Sequence, residues 1–290
     1  MASAVAQIRP GTGDAPDRYA GALASAEMLF ERARETVRDL VAPDGRTEAA
    51  LLEREQHATH GLAWLATYVE ALRQIGAWGQ RLEGEGRLGE LEALMVQAAF
   101  GEYLARIAGG LPMGQGETVR PHDLGLGDDA LDAFLSAPVR ALIRDGNSSA
   151  TRARIAALIE HETFGDWGLD EDLTLVREQF RRFADERVAP FAHGWHERDE
   201  LIPMDVIDQL AKLGVFGLTV PEEFGGLGLS KQAMCVVTEE LSRGYIGVGS
   251  LGTRTEIAAE LIRMAGTDEQ KQRWLPGLAS GAVIPTAVLT

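Results

Sequence analysis

Glu53, His57 and His60 fall in one run of helix-forming residues, and His57-Ala58-Thr59-His60 sets two imidazoles at i and i+3. Imidazoles and carboxylates at such spacing are what one wall of a helical metal site contributes. A complete site needs further donors converging from another helix. His122 and His161 are too distant in sequence to assign, so packed or surface histidines are the expectation. His193-Gly194-Trp195-His196, followed by Glu197, Arg198, Asp199 and Glu200, holds the residue types of acid–base chemistry. Mixed charge of this kind between two helices reads instead as a solvated loop. Cys235 sits between Met234 and Val236 with only Lys231 nearby to favour a thiolate, which predicts a small core residue rather than a nucleophile. Gly225-Gly226-Leu227-Gly228 has the look of part of a phosphate loop. No parallel-strand pattern precedes it and no Gly-Lys-Ser/Thr follows, so these glycines alone do not carry nucleotide binding.

The elements that would position these residues belong to an acidic globular chain. Its 290 residues carry 28 Lys and Arg against 44 Asp and Glu, a net charge of −16. That length suggests two domains, and a chain of this size buries roughly three quarters of its unfolded surface without staples. Hydrophobic residues at 45% and charged residues at 25% are ordinary globular values. The acidic balance, without a basic patch, argues against nucleic acid as a partner. The single cysteine excludes an internal disulfide framework and fits a reducing compartment. No apolar run approaches the roughly 18 residues of a membrane span, and the first 16 residues lack the apolar centre of a secretory signal. The expectation is a cytoplasmic protein with no membrane partner.

Residues 1–16, with Pro10, Gly11, Gly13 and Pro16, read as a disordered leader. From Asp17 the pattern is helical. Tyr19, Leu23, Ala26, Phe30, Ala33, Val37 and Leu40 form one stripe, and Pro43 and Gly45 end that helix. A second helix follows from Thr47, a third from about Leu88 to Ile107, then a long Gly- and Pro-rich loop from Gly109 to Gly127. Shorter helices from Asp128 to Arg144 and from Ser149 to Glu162 complete a bundle over residues 17–165. Gly165 and Gly168 mark the domain boundary.

The second half is helical but more punctuated. Pro190 ends a helix carrying Leu173, Val176, Phe180 and Phe183, and Pro203 suits the first turn of the next. Gly214 is a C-terminal cap. Ser230 is placed to cap the helix from Lys231 to Arg243, another helix runs from about Gly249 to Met264, and Thr267 with Gln270 has capping-box spacing. The uncharged, β-branched stretch from Ala282 to Thr290 reads as the start of a strand.

Taken in order, Pro221-Glu222-Glu223-Phe224-Gly225-Gly226-Leu227-Gly228, Thr238-Glu239-Glu240-Leu241, Gly266-Thr267-Asp268-Glu269-Gln270-Lys271, Trp274-Leu275-Pro276 and Leu278-Ala279-Ser280-Gly281 resemble the N-terminal helical domain of the acyl-CoA dehydrogenase family. The resemblance covers about residues 170–290. It implies an all-α chain: an extra helical bundle over 17–165, the family's helical domain over 170–281, and over 282–290 the first strand of a middle β-domain. Thr286-Ala287-Val288-Leu289-Thr290 resembles the start of the family's flavin-binding segment, which makes Ala287, Leu289 and Thr290 the implied FAD contacts. The family's Glu-Pro-x-x-Gly-Ser-Asp continuation and its catalytic glutamate are not among these residues, so no catalytic residue is named and a fragment inactive by itself is expected.

The added bundle, together with Gly247–Ala258, resembles a narrower branch of the family. That implies FAD-dependent α,β-dehydrogenation of a short, branched, carboxylate-bearing acyl-CoA, with electrons passed to an electron-transfer flavoprotein by a homo-oligomer, a tetramer in the family. The helix beginning near Gly249 resembles the one that floors the acyl pocket, with Arg254 and Thr255 on its pocket-facing stretch. A buried guanidinium without a partner would be costly against a fatty acyl chain, whereas a substrate carboxylate would pair with it. The alternative is that Arg254 points outward or pairs with Glu256 or Glu260. At the level of function, two other readings stand beside the dehydrogenase: a helical interaction module without chemistry, and a flavin monooxygenase on the same scaffold.

Overall fold

The computed structural model describes residues 15–161 and 165–286. The chain divides into two compact units, Met1–Gly168 and Leu169–Thr290, and both are helical.

The first unit contains α1 (Ala15–Val41), α2 (Ala49–Arg54), α3 (Gln56–Gly84), α4 (Glu90–Gly109), the strands β1 (Leu111–Pro112) and β2 (Thr118–Val119), then α5 (Asp128–Phe134), α6 (Ala137–Asp145) and α7 (Ser149–Glu160). α1 buries Ala22, Ala26, Leu29, Ala33 and Val37, with Tyr19, Leu23 and Phe30 half-buried on its flanks and Leu40 exposed. The sequence stripe is thus rotated by part of a turn, because small alanines let α1 lie close to α3 while the larger residues fill the margins. Leu65, Leu72, Phe100, Leu104, Phe134 and Leu142 make the centre of this core.

The expected loop from Gly109 to Gly127 instead holds a small antiparallel hairpin, Leu111 opposite Val119, and a 3₁₀ turn at Pro121–Leu124. Leu111, Val119 and Leu124 are buried there, and that burial orders a segment rich in glycine and proline. The helix expected from Asp128 to Arg144 breaks at Leu135–Ser136, with Pro138 in the first turn of α6. At the end of this unit Glu92, itself buried, accepts from the Asp166 amide. Arg87 grips Asp166 at 2.8 and 2.6 Å, and Arg81 donates to the Gly168 carbonyl at 3.2 Å.

The second unit contains α8 (Glu171–Arg187), α9 (Ala189–Glu197), α10 (Met204–Lys212), α11 (Lys231–Gly244), α12 (Ile246–Ala265) and α13 (Asp268–Ala279). The N-terminal caps read from sequence form: Ser230 accepts from Ala233 N at 3.1 Å, and Thr267 and Gln270 bond reciprocally at 3.3 and 2.8 Å. Asp170 caps α8 in the same way, accepting from Leu173 N at 2.8 Å. Pro190 begins α9 rather than only ending α8. His193 and His196 are consequently in a helix, because Ala192 and Trp195 bury against the core, with Trp195 edge-on to Tyr245, while the charged Arg198, Asp199 and Glu200 form the expected exposed turn after it. Residues 282–286 form no strand, and the rest of the expected strand lies outside the described residues.

Candidate functional site

α12 places the residues the sequence singles out, and its periodicity decides which of them face outward. Val248, Leu251, Thr255 and Ala259 are buried along one side. Gly249 and Gly252 allow that side to seat closely: a Cβ on Gly249 would come within 2.0 Å of the Ser242 hydroxyl, and one on Gly252 within 3.0 Å of Val215. With this side fixed, the 3.6-residue repeat turns Ile246, Ser250, Arg254, Ile257, Leu261 and Met264 outward. Ile246, Leu261 and Met264 are 74%, 66% and 74% exposed within this unit.

Arg254 and Thr255, about 100° apart around α12, therefore face differently: Arg254 outward and Thr255 into the packed side. Arg254 is exposed, and a guanidinium N–H donates to the Ser250 hydroxyl at 3.4 Å. It pairs with neither Glu256 nor Glu260. Glu256 is taken by Thr219 and Lys231, and Glu260 by Arg263 at 2.7 Å and Lys231 at 3.3 Å. The Arg263 guanidinium, against the opposing effect of burial and with further help from Lys231, holds the Glu260 carboxyl at a pKa of about 2. Chiefly through its bond to Glu256, Lys231 is raised above its usual value. Among the described residues Arg254 is in no ion pair. Thr255 is fully buried, and its hydroxyl has no hydrogen-bond partner among them.

Ala287, Leu289 and Thr290, the implied flavin contacts, lie outside the described residues.

The other chemistry-bearing motifs resolve into local roles. The glycine loop folds back on itself: Leu227 N donates to Gly217 O at 2.8 Å, Gly228 N to Val220 O at 2.9 Å and Leu229 N to Leu218 O at 2.7 Å. Gly225 takes φ +81°, and a Cβ on Gly226 would strike the Val220 carbonyl. Amides bonded within the chain are not free to cradle a phosphate. Cys235 is exposed and not a core residue, since α11 buries Ala233, Val236, Val237, Glu240 and Leu241 and so turns Cys235 away. His57 is exposed beside an open cleft of about 450 Å³, 3.3 Å from Glu117 and 3.7 Å from Asp123. His60 accepts from the Trp64 indole at 3.0 Å. Among the described residues no group of three or more His, Cys, Asp or Glu is disposed to hold a metal ion, and no helix is long and apolar enough to cross a membrane.

In the sequence Glu240 stands out only as part of the Thr238-Glu239-Glu240-Leu241 motif. The structure buries its carboxylate between Arg177 and Arg243, each at 3.0 Å. The signal available was an acidic residue on the buried face of α11, at i+3 from Ala233 to Val236 and i+4 from Val236 to Glu240.

Comparison with known proteins places residues 170–282 in the acyl-CoA dehydrogenase N-terminal domain model. The chain is 59% identical to a (2S)-methylsuccinyl-CoA dehydrogenase of Cereibacter sphaeroides over 289 residues, covering 97% of this chain and 52% of that protein. It is 38% identical to a mitochondrial isovaleryl-CoA dehydrogenase of Solanum tuberosum over 115 residues, covering 39% of this chain and 28% of that one. A crystal structure of glutaryl-CoA dehydrogenase from Mycobacterium smegmatis aligns with a TM-score of 0.37 and 32% identity, over 40% of this chain and 30% of the other. The chain thus spans about half the length of the methylsuccinyl-CoA dehydrogenase and less of the others.

Proposed function

Residues 170–282 belong to the acyl-CoA dehydrogenase N-terminal domain family, and from that premise we propose that this chain serves the α,β-dehydrogenation of a short branched acyl-CoA, (2S)-methylsuccinyl-CoA being oxidised to mesaconyl-CoA. In this reading a base removes the α-proton while the β-hydrogen leaves as hydride. The base is assigned to no residue of this chain. FAD, with Ala287, Leu289 and Thr290 as its proposed contacts, would supply the hydride acceptor, and an electron-transfer flavoprotein would take up the electrons. The protein works in the cytoplasm as a homo-oligomer, tetrameric as in the family. Identity across 97% of the chain with a methylsuccinyl-CoA dehydrogenase, both units included, supports this choice over other members.

The observation that carries the substrate class is Arg254. It is a cation without a carboxylate partner among the described residues, set on a helix face that also carries Ser250 and the apolar Ile246, Ile257, Leu261 and Met264. Apolar side chains suit a branched carbon skeleton, and a guanidinium suits a terminal carboxylate through charge-assisted, bidentate bonds. Thr255, buried on the packed side, contributes by seating α12 so that Arg254 faces out.

The test is made on the protein as it occurs. Purified protein should be yellow and bleach when methylsuccinyl-CoA is added without oxygen; an interaction module would be colourless, and a monooxygenase would require oxygen. Arg254→Met should raise KM for methylsuccinyl-CoA by about tenfold to a hundredfold, the value of a hydrogen-bonded charge pair. An unsubstituted acyl-CoA of similar length should be nearly unaffected. An equal change in both substrates would overturn the assignment of Arg254.

A further inference from the structure

Ser250 stands one helical turn before Arg254 on the open side of α12, half-buried. Its hydroxyl donates to the Gly247 carbonyl at 3.0 Å and accepts from the Arg254 guanidinium at 3.4 Å. A hydroxyl has one proton and two lone pairs. Once the proton is directed at Gly247 O, the oxygen facing Arg254 can only accept. It therefore suits a guanidinium, which only donates, and does not compete for a carboxylate.

The guanidinium has five N–H donors in a rigid plane. One directed at Ser250 leaves the others for an incoming anion, and that contact selects one orientation of an otherwise flexible four-bond side chain. The carboxylates that would draw Arg254 elsewhere are held by other partners, Glu256 by Thr219 and Lys231, Glu260 by Lys231 and Arg263. No second acceptor for Arg254 appears among the described residues.

We propose that Ser250 is a positioning residue for substrate selection: it holds the Arg254 guanidinium back along α12 so that its free edge meets the carboxylate of the acyl group. The inference rests on the reading of Arg254 as the carboxylate anchor. It concerns binding alone, so it moves KM for carboxylate-bearing substrates and leaves kcat in place.

The experiment compares Ser250→Ala, Ser250→Thr and Arg254→Met in the protein as it occurs, with methylsuccinyl-CoA and an unsubstituted acyl-CoA of similar length. Ser250→Ala should raise KM for methylsuccinyl-CoA about two- to tenfold, the range of one ordinary hydrogen bond, with kcat and the KM of the uncharged substrate unchanged. Ser250→Thr keeps the hydroxyl and should restore the parent value. If Ser250→Ala impairs folding, Ser250→Cys, close in size but a weak acceptor, should show the same split. Should Arg254→Met raise KM selectively while Ser250→Ala and Ser250→Cys do not, positioning by Ser250 is overturned and the anchor stands. Should Arg254→Met affect both substrates alike, the anchor fails and Ser250 loses its role with it. An equal loss with both substrates on removing the Ser250 hydroxyl marks a structural role and also overturns the proposal.

Discussion

Arg177 on α8 and Glu240 on α11 meet at 3.0 Å with the Glu240 side chain only 4% exposed. Arg243, one turn along α11, holds the other carboxylate oxygen at 3.0 Å and extends to Asp185 on α8 at 2.7 Å. The arrangement is a charge chain laid across the α8–α11 contact, with Glu240 inside and Arg243 and Asp185 toward water.

Removing the charge at the centre exposes how that contact is held. Glu240→Gln keeps the volume but leaves two guanidiniums facing a neutral amide in a buried place. Deleting one partner of a buried ion pair costs about 3–5 kcal/mol, and the partial exposure of Arg243 puts the expectation at about 2–3 kcal/mol. Urea unfolding followed by circular dichroism should show the midpoint of the second unit lowered without a change in slope. An unchanged midpoint would mean that the chain of charges is decorative.

The ionic group of α12 gives the second unit an acid dependence of known sign. The Glu260 carboxyl, held chiefly by Arg263 and further by Lys231, has a folded pKa of about 2 against an ordinary value of 4.5. A depressed carboxyl contributes its stability above the unfolded pKa and loses it as the folded pKa is approached. Stability of the second unit should therefore fall as pH drops from about 4.5 toward 2, and the drop should shrink in Glu260→Gln and in high salt, since the pair is partly exposed. Urea midpoints at successive pH values measure it; identical profiles for parent and variant would contradict the assignment.

How far the sequence disclosed these features depends on their range. Local chemistry is legible: Ser230 and Thr267 cap the helices that their spacing announces, because a cap depends on residues three positions away. Long-range packing is not. The hairpin around Val119 exists because Leu111, Val119 and Leu124 are buried against the bundle, and Cys235 is exposed because α11 turned another side inward. The same limit governs the candidate site. The resemblance sets Arg254 and Thr255 on one pocket-facing stretch, but one residue is about 100° of helix, and the packing of Val248, Leu251 and Ala259 buries Thr255 with them while Arg254 stays exposed.

That separation can be tested through Thr255 itself. Its hydroxyl is fully buried without a hydrogen-bond partner among the described residues, on the side of α12 that also buries Val248, Leu251 and Ala259. Burying such a group without compensation costs about 1–3 kcal/mol by protein measurements. Valine has nearly the same shape and no hydroxyl, so Thr255→Val should stabilise the second unit by about 1 kcal/mol rather than weaken it. Thermal and urea unfolding read the change, and a clear loss of stability would reveal a hydrogen bond that the packing of α12 conceals. In the protein as it occurs, the same substitution should leave the ratio of KM values for carboxylated and unsubstituted acyl-CoA where it is, while Arg254→Met shifts it. A shifted ratio in Thr255→Val would return that buried hydroxyl to the substrate side of α12.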